Sequence, residues 1–347
     1  MNKVIYSLKT VYRDKDRKSL PRIVLEAIHS MLLERDMPYH YFLSLLYKKD
    51  SPDYRNFIGN RKNFGIQRNY LRAKGPNLDL FDKIRFSSIL SDHDIPTAKV
   101  LAHNSGHQIK RDGSTSSIAN PLELAVQMKL LVSETNSQSI FVKPVNGEEG
   151  VNSFRFDETD ISEVNCAQLY QLMETVPFIF QETVKQHPTL NTIYPHCINS
   201  LRVHSFFDQE RNEAEIVSVM MRIGRNGAVV DNCGVGGMYI AIDHENWTLE
   251  NFAQTYLSRG GFRFSAHPDT GQVFAGTKLP FRDETLAIIK AAAPLFTSEF
   301  IGWDVALTET GPIILEGNEN PHLGMAQWGC GGFKNHPRYK EIFKDYI

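Results

Sequence analysis

The chain has 347 residues, 41% of them apolar, and a net charge of −2 at pH 7, which suits a globular body of two or three structural units. No stretch approaches the ~20 apolar residues of a membrane span, and Met1-Asn2-Lys3-Val4 opens no signal peptide, so a soluble cytoplasmic protein is expected. Cys166, Cys197, Cys233 and Cys330 are widely scattered, which argues against a disulfide framework or a zinc knuckle.

The near-neutral total hides an asymmetry. Residues 1–75 hold 16 Lys or Arg against 7 Asp or Glu, a charge of +9, leaving −11 on the rest. Such a region could meet an anionic membrane face or a polyanionic acceptor; nucleic acid is disfavoured because no binding motif accompanies the charge. The bland alternatives are helices packed against the acidic body or a homodimer interface. Ile23, Val24, Ala27, Ile28, Met31 and Leu32 recur at helical spacing, and an aromatic helical segment follows from Tyr39 to Tyr47. Gly75-Pro76-Asn77 then breaks the chain.

Beyond the break, helices are expected at residues 82–90, 121–132 and 166–174, and strands at 98–101, 139–144 and 177–184. The second half is richer in strands, at 200–207, 215–223 and 237–242, with one amphipathic helix at 284–296. These elements predict an α+β architecture with antiparallel sheet under mixed helices. Three units follow: a basic helical region 1–75, a first subdomain 76–184 and a second subdomain 185–347.

The last two strands, Ile301-Gly-Trp-Asp304-Val-Ala-Leu and Pro312-Ile-Ile-Leu-Glu316-Gly-Asn318, flank Glu309-Thr310-Gly311, which reads as a three-residue hairpin loop. Counting back from that loop sets Asp304 opposite Glu316, and Glu316 shares a face with Asn318. Two carboxylates and an amide oxygen suit a hard cation such as Mg²⁺. A solvated acidic face is the plainer alternative.

Lys143 ends an apolar strand and precedes Gly147 and Gly150, so a loop that approaches a polyphosphate closely can follow a lysine that neutralises it. Phe178-Ile-Phe-Gln181-Glu182-Thr-Val184 is an apolar strand whose end can present backbone groups to an adenine edge. Arg202, Arg222 and Arg225 suit a transferring phosphoryl group if they face a metal. His187, His196, His204 and His322 show no metal-ligand spacing and read as structural.

In order, Asp82-Lys83-x-x-Phe86, Lys143 with its glycine loop, Gln186-His187-Pro188, Asn199-x-Leu-Arg202, Arg222-Ile-Gly-Arg225, Asp231-Asn232, Gly302-Trp303-Asp304-Val-Ala and Glu316-Gly-Asn318-x-x-Pro321 resemble the ATP-grasp superfamily over residues 78–330. They are most similar to its branch associated with sugar transfer and cell-surface polysaccharide clusters. The resemblance implies that Lys83 and Lys143 hold the α- and β-phosphates of ATP, and that Gly147 to Val151, including Gly150, close over the γ-phosphate. It implies backbone contacts to adenine from Glu182 and Val184 beside Gln181, and stabilisation of the intermediate by Arg202 and Arg222, with Arg225 in the same motif. It implies one or two Mg²⁺ ions on Asp304, Glu316 and Asn318.

The expected activity is an ATP-dependent ligase that joins a carboxylate, through an acylphosphate, to an amine or thiol, with substrates possibly sugar-linked. The alternatives are an ATP-grasp kinase acting on an alcohol and a silent nucleotide-binding protein. The chain departs from most of the superfamily at residues 1–75, where a Rossmann-like domain would stand.

Overall fold

The structure is a computed structural model that describes residues 9–67, 77–147 and 151–343. A six-stranded antiparallel sheet contains β1 (Val100–Ser105), β2 (Gln108–Arg111), β3 (Ser114–Ser117), β4 (Ser139–Pro144), β5 (Phe154–Asp157) and β6 (Phe178–Glu182), in the order β3-β2-β1-β6-β4-β5. The helices Pro121–Ser133 and Glu163–Met173 cover it, burying Leu124, Met128, Leu169 and Met173 against Ile140, Val142, Phe178 and Phe180. Asn120 starts the first of these helices by accepting the Glu123 N–H (2.9 Å), while Glu123 reaches back to the Ala119 N–H (2.8 Å).

The second sheet is larger. It holds β7 (Leu201–Asp208), β8 (Glu213–Ile223), β9 (Met238–Asp243), β10 (Thr248–Leu249), β11 (Ala253–Gln254), β12 (Arg263–Phe264), β13 (Phe300–Thr308) and β14 (Gly311–Asn318), ordered β12-β11-β9-β8-β7-β13-β14 with β10 on β9. Period-two alternation divides its residues between two faces. Val203, Val219, Met221, Ile240, Trp303 and Val305 enter a core shared with the Arg282–Ala292 helix. Arg202, Arg222 and Asp304, each offset by one, lie on the other face.

The β13–β14 hairpin reaches the expected register by an unexpected route. Its turn is the two residues Glu309-Thr310, since Thr308 pairs with Gly311, whose φ of 136° suits glycine. Val305 pairs with Ile314, but Asp304 pairs with Glu316, so Leu315 is an extra residue in a β-bulge. A loop one residue shorter than expected and a bulge one residue longer cancel. The bulge also lets Ile314 face the core while Glu316 and Asn318 lie on the face of Asp304.

The two sheets are tied at this hairpin. Ile314 N–H donates to Pro96 O and Thr97 Oγ1 to Ile314 O, both at 2.8 Å, and His187 N–H donates to Leu307 O at 2.8 Å. Lys83 to Asp92 forms a helix begun by Asp82, whose carboxylate accepts from Ile84 N–H (2.9 Å) and Arg85 N–H (3.1 Å).

The described part of the N-terminal region, residues 9–67, is helical and docked on the second sheet. Gln327 exchanges hydrogen bonds with both backbone groups of Ile58 (2.7 and 3.4 Å), and Trp328 Nε1 donates to Ser44 O (2.8 Å). Glu34, with its side chain 1% exposed, pairs with Lys334 and Lys62 and accepts the Gly59 N–H.

The expected apolar stripe on the Leu20–Glu34 helix does not act as one face. Ile23 and Ala27 are buried, whereas Val24, Ile28 and Leu32 face outward, because Glu26, Ser30 and Glu34 take the inner positions and are held there by ion pairs and hydrogen bonds. Some of the region's charge is likewise used internally. Lys48 is 2% exposed and pairs with Asp14.

Candidate active site

Register brings the first site residues together. Asp304 lies between Arg202 on β7 and Glu316 on β14, directly opposite each. Arg202 Nε donates to Asp304 Oδ1 at 2.6 Å, and Arg222 Nη2 to Oδ2 at 2.9 Å. Burial opposes ionisation of Asp304, but the two guanidiniums outweigh it and hold the carboxyl below its ordinary value. Arg222 is itself fixed from behind. Its Nε and Nη2 donate to Ser200 Oγ (3.1 and 2.7 Å), whose hydroxyl donates to Asp231 Oδ2 (2.6 Å).

Glu316 differs from its cross-strand partner. Among the described residues its carboxylate has no hydrogen bond or ion pair. Asn318 Nδ2 donates to Gly302 O at 3.3 Å, which leaves its Oδ1 as the free end of the amide. No three His, Cys, Asp or Glu side chains gather into a metal-binding group among the described residues. Two carboxylates and one amide oxygen still form an all-oxygen donor set, and the unpaired Glu316 carboxylate fits a hard cation such as Mg²⁺.

The other sheet and the helix begun by Asp82 contribute cations. Lys143 stands next to the end of β4, half-buried, and its ammonium is pushed down to about 8 by burial, against the pull of Glu316 and Asp304 and with a push from Lys83. That balance sets Lys143 within electrostatic reach of Glu316, Asp304 and Lys83. Lys83 Nζ donates to Gly147 O at 2.8 Å and so ties the helix start to the loop after β4. Gly147 is tightly seated, since a Cβ there would lie 3.2 Å from Pro144 Cβ. Gly150 lies outside the described residues, and Val151 is exposed.

At the end of β6 the Glu182 N–H donates to Lys99 O at 3.0 Å and the Thr183 N–H to Ser139 O at 3.3 Å. Gln181 is buried and donates to Ala98 O (3.2 Å), and Glu182 accepts the Asn136 N–H (2.9 Å). Among the described residues the Val184 N–H has no partner.

Arg225 is placed differently from the other two arginines. Its Nε donates to Gly236 O at 2.7 Å and its guanidinium lies 5.6 Å from the Phe264 ring centroid, which makes it a tie between loops. His187 and His322 cap short helices, and His204 is fully buried with Nδ1 on Ser218 Oγ. Sequence reasoning missed Ser200. Its signal was present, because Ser200 stands two residues before Arg202 and therefore shares its face.

Two antiparallel sheets carry Lys143 on one and an arginine-held carboxylate on the other, with Lys83 on a helix that touches both. The profile described as sugar-transfer associated ATP-grasp matches residues 61–336, so the chain belongs to that family. Similar solved structures include D-alanyl-alanine synthetase A from Vibrio cholerae, at 13% identity and a TM-score of 0.46 over 77% of this chain and 65% of that one. Another is the ATP-grasp ligase PsnB with its precursor peptide PsnA2 and AMPPNP, at 14% identity and a TM-score of 0.40 over 77% and 58% of the two chains. A third is the D-cycloserine synthetase DcsG, at 14% identity and a TM-score of 0.39 over 72% and 69%. The chain thus spans less than two thirds of the first two. No curated protein matches the sequence.

Proposed function

We propose that this chain is an ATP-dependent ligase that activates a carboxylate as an acylphosphate and passes the acyl group to an amine. The observation that carries this reading is the cluster of Arg202, Arg222, Asp304, Glu316 and Lys143 between the sheets, in which two fixed guanidiniums and a low-pKa ammonium surround a pair of carboxylates. Such a cluster suits charge that moves among phosphate oxygens.

Lys83 and Lys143 hold the phosphates, and the Glu182–Val184 backbone reads the adenine edge. A carboxylate oxygen of the first substrate attacks the γ-phosphorus, the bond to the β-phosphate oxygen breaks, and ADP leaves. Arg202 and Arg222 stabilise the equatorial oxygens during this step. The amine nitrogen then attacks the acyl carbon, inorganic phosphate departs, and the nitrogen loses a proton. Asp304, Glu316 and Asn318 would hold Mg²⁺, which supplies charge neutralisation for the triphosphate. No protein nucleophile is needed. The family's description supports substrates linked to sugar transfer, with a sugar-borne carboxylate or amine as the first class to try.

The test is a screen of carboxylates with ATP and hydroxylamine, which captures an acylphosphate as a hydroxamate. Carboxylate-dependent ADP and hydroxamate formation is the expected result. ADP formed with a stable phosphoester of an alcohol would replace the ligase by a kinase, and absence of nucleotide binding would remove both.

A further inference from the structure

The Leu20–Glu34 helix carries its polarity the wrong way round for a helix that only packs on a body. Its inner face holds Glu26, Ser30 and Glu34 beside Ile23 and Ala27. Each inner carboxylate is fully provided for. Glu26 takes Lys18 (2.7 Å), Arg22 (2.8 Å) and the Tyr41 hydroxyl (2.7 Å), and Glu34 takes Lys334, Lys62 and the Gly59 N–H. The outer face carries Val24, Leu25, Ile28 and Leu32, which are 54%, 69%, 46% and 67% exposed. No described residue covers them. The four recur along one side of the helix and form a convex ridge, continued past its end by the exposed Met37, Tyr39 and Leu43.

Charge decides what covers the ridge. Among described residues 9–67, eight basic side chains are exposed against two acidic ones, Asp50 and Asp53, and Asp53 is already paired with Arg55. With Arg22 bonded to Glu26 and Arg55 to Asp53, the exposed charges left are Lys9, Arg13, Lys15, Arg35, Lys49 and Arg61 against Asp50, and Arg35 ends the helix. A second copy docked ridge to ridge would bring one cationic surface against another, whereas an anionic lipid headgroup layer complements it. A ridge without a polar group of its own also suits a fluid acyl boundary better than a partner surface that must be read by hydrogen bonds.

We propose that the outward ridge Val24–Leu25–Ile28–Leu32, with its cationic surround, docks the protein on the surface of an anionic phospholipid bilayer. The apolar side chains enter the headgroup–acyl boundary and the unpaired exposed cations, Arg35 among them, meet lipid phosphates. The helix lies on the membrane and does not cross it, and no helix among the described residues is long and apolar enough to do so.

The experiment is cosedimentation of the full chain with vesicles of equal parts phosphatidylcholine and phosphatidylglycerol, and with phosphatidylcholine alone. Wild type is expected to bind the anionic vesicles, to bind less as salt rises, and to leave the neutral ones in solution. The double variant Leu25→Gln/Leu32→Gln should lose at least about tenfold in affinity with an unchanged melting temperature and unchanged nucleotide binding. The proposal fails if wild type ignores anionic vesicles, or if the double variant binds them undiminished. It also fails if wild type is a dimer that the double variant splits and that dimer leaves vesicles untouched, since a second copy then covers the ridge.

Discussion

Asp304 and Glu316 face each other across adjacent strands, yet one is clasped by two arginines and the other has no partner among the described residues. Glu316 bonds to no described residue, and the charges of Lys143 and Arg222 act on it without contact, so little of the fold's stability hangs on its carboxylate. Glu316→Gln should therefore leave the melting temperature about unchanged while lowering turnover by at least about a hundredfold. Asp304→Asn removes the counter-charge of two buried guanidiniums and should lower stability by about 3 kcal/mol as well as activity. Thermal melts of both variants beside ADP release check the pair, and a stabilised Asp304→Asn or a fully active Glu316→Gln would contradict it.

Lys143 links stability to pH in the direction opposite to a paired lysine. Its ammonium titrates at about 8 in the fold and near its ordinary 10.5 when unfolded, so between these values the unfolded chain binds more protons and stability rises with pH. Below about pH 8 the charge is a constant burden. Lys143→Met should stabilise the nucleotide-free protein at pH 7 by roughly 1–3 kcal/mol and so raise its melting temperature, with the advantage shrinking above pH 8 and gone near pH 10.5. ATP binding to wild type at pH 8 should also draw in a proton, seen by calorimetry in buffers of different ionisation enthalpy. A variant less stable than wild type at pH 7 overturns this account.

Lys83 holds Gly147 O through its ammonium, so it orders the loop as well as charging the site. Lys83→Met should weaken ATP binding by at least about tenfold while lowering stability by only ~1 kcal/mol, the worth of one hydrogen bond. Isothermal titration with an ATP analogue, beside a denaturant melt, separates the two. Equal losses in both would mean that Lys83 is mainly a structural tie.

Glu34 is the electrostatic pin of the N-terminal region. Burial opposes its ionisation, but Lys334, the Gly59 N–H and Lys62 outweigh that and hold its carboxyl below the ordinary value. Its contribution is therefore complete above the ordinary carboxylate range and lost as pH falls through the depressed value in the fold. Glu34→Ala should cost about 3 kcal/mol at pH 7, with the loss shrinking in acid, and should open residues 9–67 to protease before the rest of the chain. Proteolysis that starts elsewhere would show that other contacts hold the region.

Much of the fold was legible because long periodic segments carry their own signal. The strand at 139–144 has its expected ends, and Ser200–Phe207 and Glu215–Ile223 are shifted by one or two residues. The β2–β3 hairpin was not legible, since Gln108–Arg111 and Ser114–Ser117 are polar and lack the apolar alternation that marks a strand. The outward ridge was hidden for a different reason. Helical spacing locates apolar residues on a wheel but does not say which side meets the body, and Glu26 and Glu34 become inner residues only because Lys18 and Lys334 wait for them. Arg225 and Arg222 share a motif and look equivalent in sequence; a Gly236 carbonyl and the Phe264 ring, both distant in the chain, give Arg225 its separate position.

The extra residue at Leu315 works as an expansion joint. With a two-residue turn the hairpin needs the bulge to keep Glu316 opposite Asp304, and with a three-residue turn a regular ladder would achieve the same pairing without it. Deleting Leu315 would likewise leave Glu316 facing Asp304 and Ile314 anchored at Pro96. The tip of the hairpin can thus change length by one residue while the donors keep their places. Past Leu315 no such slack remains, and one residue gained or lost there would carry Asn318 from the face of Asp304 to the core face.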